Sequence, residues 1–111
     1  MEEELLINVK TFWKSAELVY LTKDYTSAAI LYFKCLFVLL DYILFKSIRK
    51  TPKDHSERFR LLEINFPELY RTTDKYFQVY RDTYSLKIEK EKCDEVRKNV
   101  SRIIKEQNIQ V

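Results

Sequence analysis

Not one of the 111 residues is glycine, and only two are proline. Tight β-hairpins need residues at positive φ, and phosphate-cradling loops need backbone that no Cβ obstructs; both depend on glycine. A β-rich fold and a glycine-loop nucleotide site are therefore disfavoured from the start. Helices joined by short connections remain. With 46% hydrophobic and 33% charged residues the chain has the balance of a globular protein. Residues 1–111 are expected to form one domain, burying roughly two-thirds of the surface that the unfolded chain exposes.

Apolar periodicity then divides the chain. From Glu2 to Leu21, the residues Leu5, Leu6, Val9, Phe12, Trp13, Ala16, Val19 and Tyr20 recur at three- and four-residue intervals, the spacing of one helix face. The acidic start suits the helix dipole. After the turn TKDY, a second helix is predicted from Tyr25 to Lys50, apolar on most sides as befits the centre of a bundle. Its run from Ala28 to Phe45 approaches the length of a bilayer span, but Lys34 and Asp41 near its middle favour a core helix. Those two charges share a face two turns apart, close enough to ring a shared polar spot; otherwise they sit on a wet edge or pair with other helices.

Pro52 breaks the pattern. A short helix follows to about Glu63, started either by Asp54 with Glu57 in a capping box or by Thr51 with Pro52 at the first helical position. Pro67 opens a longer helix striped by Leu69, Thr73, Tyr76, Phe77, Tyr80 and Tyr84. After SLKI, a last helix sets Cys93, Val96, Val100, Ile103 and Ile104 against a face of mixed charge, and QNIQV is expected to fray. The predicted architecture is all-α: an antiparallel four-helix up-and-down bundle with one short extra helix.

Most catalytic constellations are missing. With a single histidine, His55, and no CxxC spacing between Cys35 and Cys93, a closed zinc site lacks ligands, and neither metal nor cofactor is expected. A thiol nucleophile would have to meet His55, whereas free cysteines in apolar stripes are ordinarily inert. The start MEEE is acidic where a secretory leader is basic, so a cytoplasmic protein with reduced thiols and no membrane association is predicted. A formal charge of +3 permits a nucleic-acid partner without arguing for one. Lys46, Arg49, Lys50, Lys53, Arg58 and Arg60 surround the loop after the central helix, either as a footprint for backbone phosphates or as cations offsetting a helix dipole.

The segment YRDTYS sets Arg81 and Asp82 inside a tyrosine stripe that otherwise reads as a burying face. Together with KSAELVYLTKDYTSA, AAILYFKCLFVLLDYIL and PKDHSERF, in that order between about Trp13 and Ile104, it resembles the HEPN superfamily (higher eukaryotes and prokaryotes nucleotide-binding domains) and especially its small stand-alone members. The resemblance implies a helical homodimer, often paired with a nucleotidyltransferase partner protein, with many relatives acting as metal-independent RNases in toxin–antitoxin and antiviral systems. In those relatives an arginine, a polar residue and, four to six positions on, a histidine lie across the dimer cleft. Arg81 and Asp82 match the first half. Leu86, Lys87 and Ile88 stand where the histidine would fall, which removes the group best suited to proton exchange near neutral pH. Arg49 and His55 have the same spacing, but across the Pro52 break.

The resemblance therefore implies a nucleotide- or RNA-binding or nucleotidyltransferase-partner module, with Arg81, Asp82 and Lys87 as binding residues, to which the basic segment adds Arg49, Lys50 and Lys53. In the dimer cleft Arg81 would fork onto phosphate and Tyr84 would stack on a base; alternatively, Arg81 pairs with an acid and the tyrosines only pack. Two other functions stay open. One is an active RNase using Arg81 with Tyr84, Lys87 or His55. The other is a structural helical interaction module, since the hairpin through TKDYTSAAILYF also resembles tetratricopeptide or microtubule-interacting helical pairs, although the repeats of a tetratricopeptide array are not present.

Overall fold

The computed structural model describes all residues, Met1–Val111, and is entirely helical: α1 (Glu2–Leu21), α2 (Tyr25–Ile48), α3 (His55–Asn65), α4 (Pro67–Asp82) and α5 (Lys90–Glu106). In the absence of glycine, left-handed backbone falls to Lys23 (φ 67°), Arg49 (φ 58°) and Asn108 (φ 58°), each just past a helix end. Arg49 stops α2 two residues short of the predicted Lys50. At the other end of the chain, Asn108 folds the backbone so that the Ile109 N–H reaches the Ile104 carbonyl at 3.2 Å. This turn buries Ile109 to 9% exposure where sequence predicted fraying.

α2 is the hub. Its Tyr32, Phe33, Leu36, Leu39, Leu40 and Leu44 have no exposed surface, and burial of each large apolar side chain stabilises the fold by about 1.5–3 kcal/mol. By length and composition α2 would suit a membrane span, yet 67% of its apolar window is buried against the rest of the chain. That apolar surface is already spent on the core.

α1 runs antiparallel to α2, with Tyr20 on Tyr25 and Trp13 on Tyr32, both at 5.4 Å between ring centroids, and the Cys35 thiol donating to the Val9 carbonyl at 3.4 Å. α5 lies along both. Its Arg97 forks onto Glu17 of α1 through Nε at 2.7 Å and Nη2 at 3.0 Å, and the same carboxylate accepts the buried Tyr32 hydroxyl at 2.5 Å. These contacts, led by Arg97, hold the Glu17 carboxyl below its ordinary range. One turn along α1, the Tyr20 hydroxyl donates to the Asp94 carboxylate, which also takes Lys90 at 2.8 Å.

α3 and α4 pack on α2 away from this clamp. Asp54 caps α3 by accepting the Glu57 N–H at 2.8 Å, while Glu57 reaches back to the Lys53 N–H at 3.0 Å. The helix therefore starts at the acidic cap and not at Pro52. The loop from Arg49 to Asp54 doubles back, so that His55 meets Phe37 in the middle of α2 at 4.7 Å. Pro67 then opens α4, which returns along α3 with Phe59 on Phe77 at 4.9 Å. Tyr80, near the end of α4, packs on Phe33 at 5.4 Å. The Ile88 N–H donates to Thr26 Oγ1 at 2.8 Å and ties the α4–α5 connection to the start of α2.

Candidate functional site

Asp41 projects from the apolar α2 toward α3 and finds Arg58 there. The guanidinium forks onto it, Nε to Oδ1 at 2.7 Å and Nη2 to Oδ2 at 3.0 Å, with the two side chains 14% and 11% exposed. Arg58 also lies over the Phe37 ring at 5.1 Å. Of the sequence readings for Asp41, pairing with another helix is the one the structure adopts. Arg58 consequently leaves the basic segment to which its sequence position assigned it.

The remaining Arg58 nitrogen, Nη1, lies 2.7 Å from Nδ1 of His55. A guanidinium has donors only, so Nδ1 is the acceptor and the imidazole proton sits on Nε2. Phe37, Phe77 and Tyr80 surround the ring at 4.7, 5.6 and 5.7 Å. Burial first and the Arg58 cation second push the His55 pKa down, so the ring is neutral at neutral pH. Its basic nitrogen cannot take up a proton without displacing Arg58, which leaves His55 a hydrogen-bond donor through Nε2 and not a ready general base.

Arg81 is exposed at the last turn of α4, its guanidinium carbon 5.7 Å from the Phe77 ring. Its Nη2 donates to Gln78 Oε1 at 2.9 Å, and Gln78 Nε2 donates to Asp82 Oδ1 at 2.8 Å. The charged pair in the tyrosine stripe is thus bridged by a neutral amide at the edge of the stripe, with no carboxylate on Arg81. Tyr84 is 78% exposed, and its hydroxyl lies 3.2 Å from that of Tyr80. That hydrogen bond, with burial, raises the Tyr80 pKa, so Tyr80 is protonated near neutral pH.

Three of the sequence candidates therefore share one aromatic ledge: His55 and Arg81 both lie against Phe77, and Tyr84 extends it through Tyr80. Lys87 is exposed in the following loop, close to the N-terminal end of α2 through its neighbour Ile88. Arg49 lies at the opposite end of α2, over Phe45 and 3.9 Å from Glu2, about 24 Å of helix from the Phe33–Tyr80 contact. Lys50 is exposed beside Arg49, and Lys53 is exposed two residues before His55. The six predicted binding residues do not form one cluster.

The thiols take no part in this ledge. Cys35 is pushed up to about 12 by burial and Cys93 to about 11, chiefly by burial, so both are protonated at neutral pH. No three His, Cys, Asp or Glu side chains converge as metal ligands would. Sequence reasoning missed the Asp41–Arg58–His55 chain, although a carboxylate inside an apolar run and an arginine three residues after the only histidine were its two signals. The chain matches no protein-family model, no curated protein and no solved structure.

Proposed function

We propose that this chain is a HEPN-like module that binds RNA or nucleotide as a homodimer in the cytoplasm, partnering a nucleotidyltransferase in a toxin–antitoxin-like or defence system. The observation that carries this reading is the pairing of an exposed arginine bound only to an amide, Arg81, with an exposed ring, Tyr84, on one aromatic ledge. An arginine without a carboxylate partner retains its fork for phosphate, and an accessible tyrosine offers a stacking face to an unpaired base. The antiparallel packing of α1 with α2, with α5 lying along both, is in keeping with the HEPN-like bundle; the fourth long helix, α4, packs chiefly on the short α3.

Binding is favoured over cleavage because the only histidine is occupied: His55 Nδ1 accepts from Arg58. A mixed RNA pool incubated with purified protein in EDTA, beside Arg81→Ala, separates the two. The binding module leaves the pool intact with both proteins, while retarding it on a native gel as a complex with two copies of the chain. Degradation by the wild type that Arg81→Ala abolishes would replace this reading with an RNase that uses another proton carrier.

A further inference from the structure

On the other flank of α4 from Arg81, a groove of about 360 Å³ separates α4 from α5. Thr72, Lys75 and Tyr76 form one wall and Lys98, Asn99 and Arg102 the other. The lining is dominated by donors. Its only carboxylate, Glu95, is drawn to Lys92 at 3.5 Å, and Thr72 spends its hydroxyl proton on the Glu68 carbonyl at 3.1 Å. Neither Lys75 nor Lys98 has a carboxylate within salt-bridge distance.

The second observation lies beneath the groove. Only two buried side-chain polar atoms in the molecule lack a hydrogen-bond partner, Asn99 Nδ2 and Thr73 Oγ1. Asn99 is 6% exposed and belongs to the groove wall; Thr73 is the buried neighbour of Thr72. The amide of Asn99 cannot be turned round to resolve this, because its Oδ1 accepts from Arg102 Nη2 at 2.9 Å and a flip would set donor against donor. An unmet buried donor costs stability unless something with lone pairs reaches it. Water supplies one such acceptor, but water does not neutralise Lys75 and Lys98; Arg102, the third cation of the lining, is already paired with Glu106 at 3.0 Å.

We propose that this groove is a phosphate-ester site, in which Lys75 and Lys98 balance the charge, Arg102 stays held by Glu106 and the Asn99 amide donates to a phosphate oxygen. Tyr76 lies beside it as a face for the sugar or base attached to that phosphate. The site shares no residue with the Arg81 ledge and stands or falls independently of the reading above. The same chemistry arises from a free nucleoside monophosphate or from the backbone of single-stranded RNA, and the dianion matches the two unpaired lysines better.

The test is a titration of the ¹⁵N-labelled full chain with adenosine monophosphate, and separately with a short single-stranded RNA that lacks terminal phosphates. Saturable shifts of the Asn99 side-chain amide and of the Lys75, Tyr76 and Lys98 backbone amides are expected. Lys75→Ala/Lys98→Ala, on the solvent side, weakens binding by about tenfold or more. Asn99→Leu also weakens it while keeping the seam packed, and Arg81→Ala leaves it unchanged. Saturation by the monophosphate alone assigns a terminal phosphate; saturation by the RNA alone assigns the chain backbone. Non-saturating shifts spread over the surface lysines, or loss of the groove response in Arg81→Ala, would overturn the proposal.

Discussion

Arg58 of α3 donates to Nδ1 of His55 at 2.7 Å while holding both oxygens of Asp41, so one guanidinium fixes the tautomer of the only histidine and neutralises the only carboxylate in the apolar α2. The arrangement makes the histidine neutral and the arginine unavailable to a ligand. Much of what can be predicted of this molecule follows from that pair.

The first consequence is a pH dependence of known sign. A histidine whose folded pKa lies below its unfolded value of 6.5 binds fewer protons in the folded than in the unfolded chain once the pH drops below that value. Its stability contribution is complete above 6.5 and declines as the pH falls toward the depressed folded pKa. Carboxyls such as Glu17 and Asp94 act lower still, below their ordinary 4.5 and 3.8. Urea midpoints measured between about pH 7.5 and about pH 5.5 should therefore fall with acid in the wild type. In His55→Asn, whose amide oxygen replaces Nδ1 without titrating, the slope should flatten; an equal slope in both proteins would contradict the assignment.

Breaking the ion pair on one side leaves a largely buried charge alone. Arg58→Met should cost about 2–4 kcal/mol in urea unfolding, and Asp41→Leu combined with Arg58→Met should cost less than Arg58→Met alone. The same Arg58→Met protein loses the cation beside His55, so the histidine pKa followed by NMR should rise. Additive, small effects of the two substitutions would show that the pair is not coupled.

A glycine-free chain carries a backbone cost that can be relieved. Lys23 holds φ 67° at the end of α1, a conformation that costs a residue with a Cβ about 1–2 kcal/mol. Glycine there removes most of this but adds about 0.4–1 kcal/mol of unfolded-state entropy. Lys23→Gly should stabilise the protein by about 0.5 kcal/mol, whereas Lys23→Ala should not; the comparison is read from urea midpoints. Equal midpoints for the two variants would mean that the left-handed turn is not what limits this position.

The helices were legible because apolar spacing and end signals agree: Glu2 to Leu21 has both, and Pro67 opens α4 as its fixed φ predicts. The central place of α2 was legible from an apolar surface too wide for one face. What sequence hid is where a chain goes after a turn. The left-handed Arg49 sends the backbone back beside the middle of α2, which turns Arg58 from a loop cation into the partner of Asp41. Asn108 likewise converts an apparently fraying tail into a turn that buries Ile109. Of the candidate site, Arg81 and Tyr84 were legible as exceptions within a stripe, while the amide bridge through Gln78 depends on rotamers that no spacing reveals.

The measurement that tests the central reading most directly is the affinity of a labelled single-stranded RNA for the wild type, Arg81→Ala and Tyr84→Ala, followed by fluorescence anisotropy at two salt concentrations. Loss of the forked phosphate contact should weaken binding about tenfold and lower the salt dependence. Loss of the stacking ring should weaken it by a comparable factor with the salt dependence retained. Affinity unchanged in both variants would contradict an RNA-binding role for this ledge.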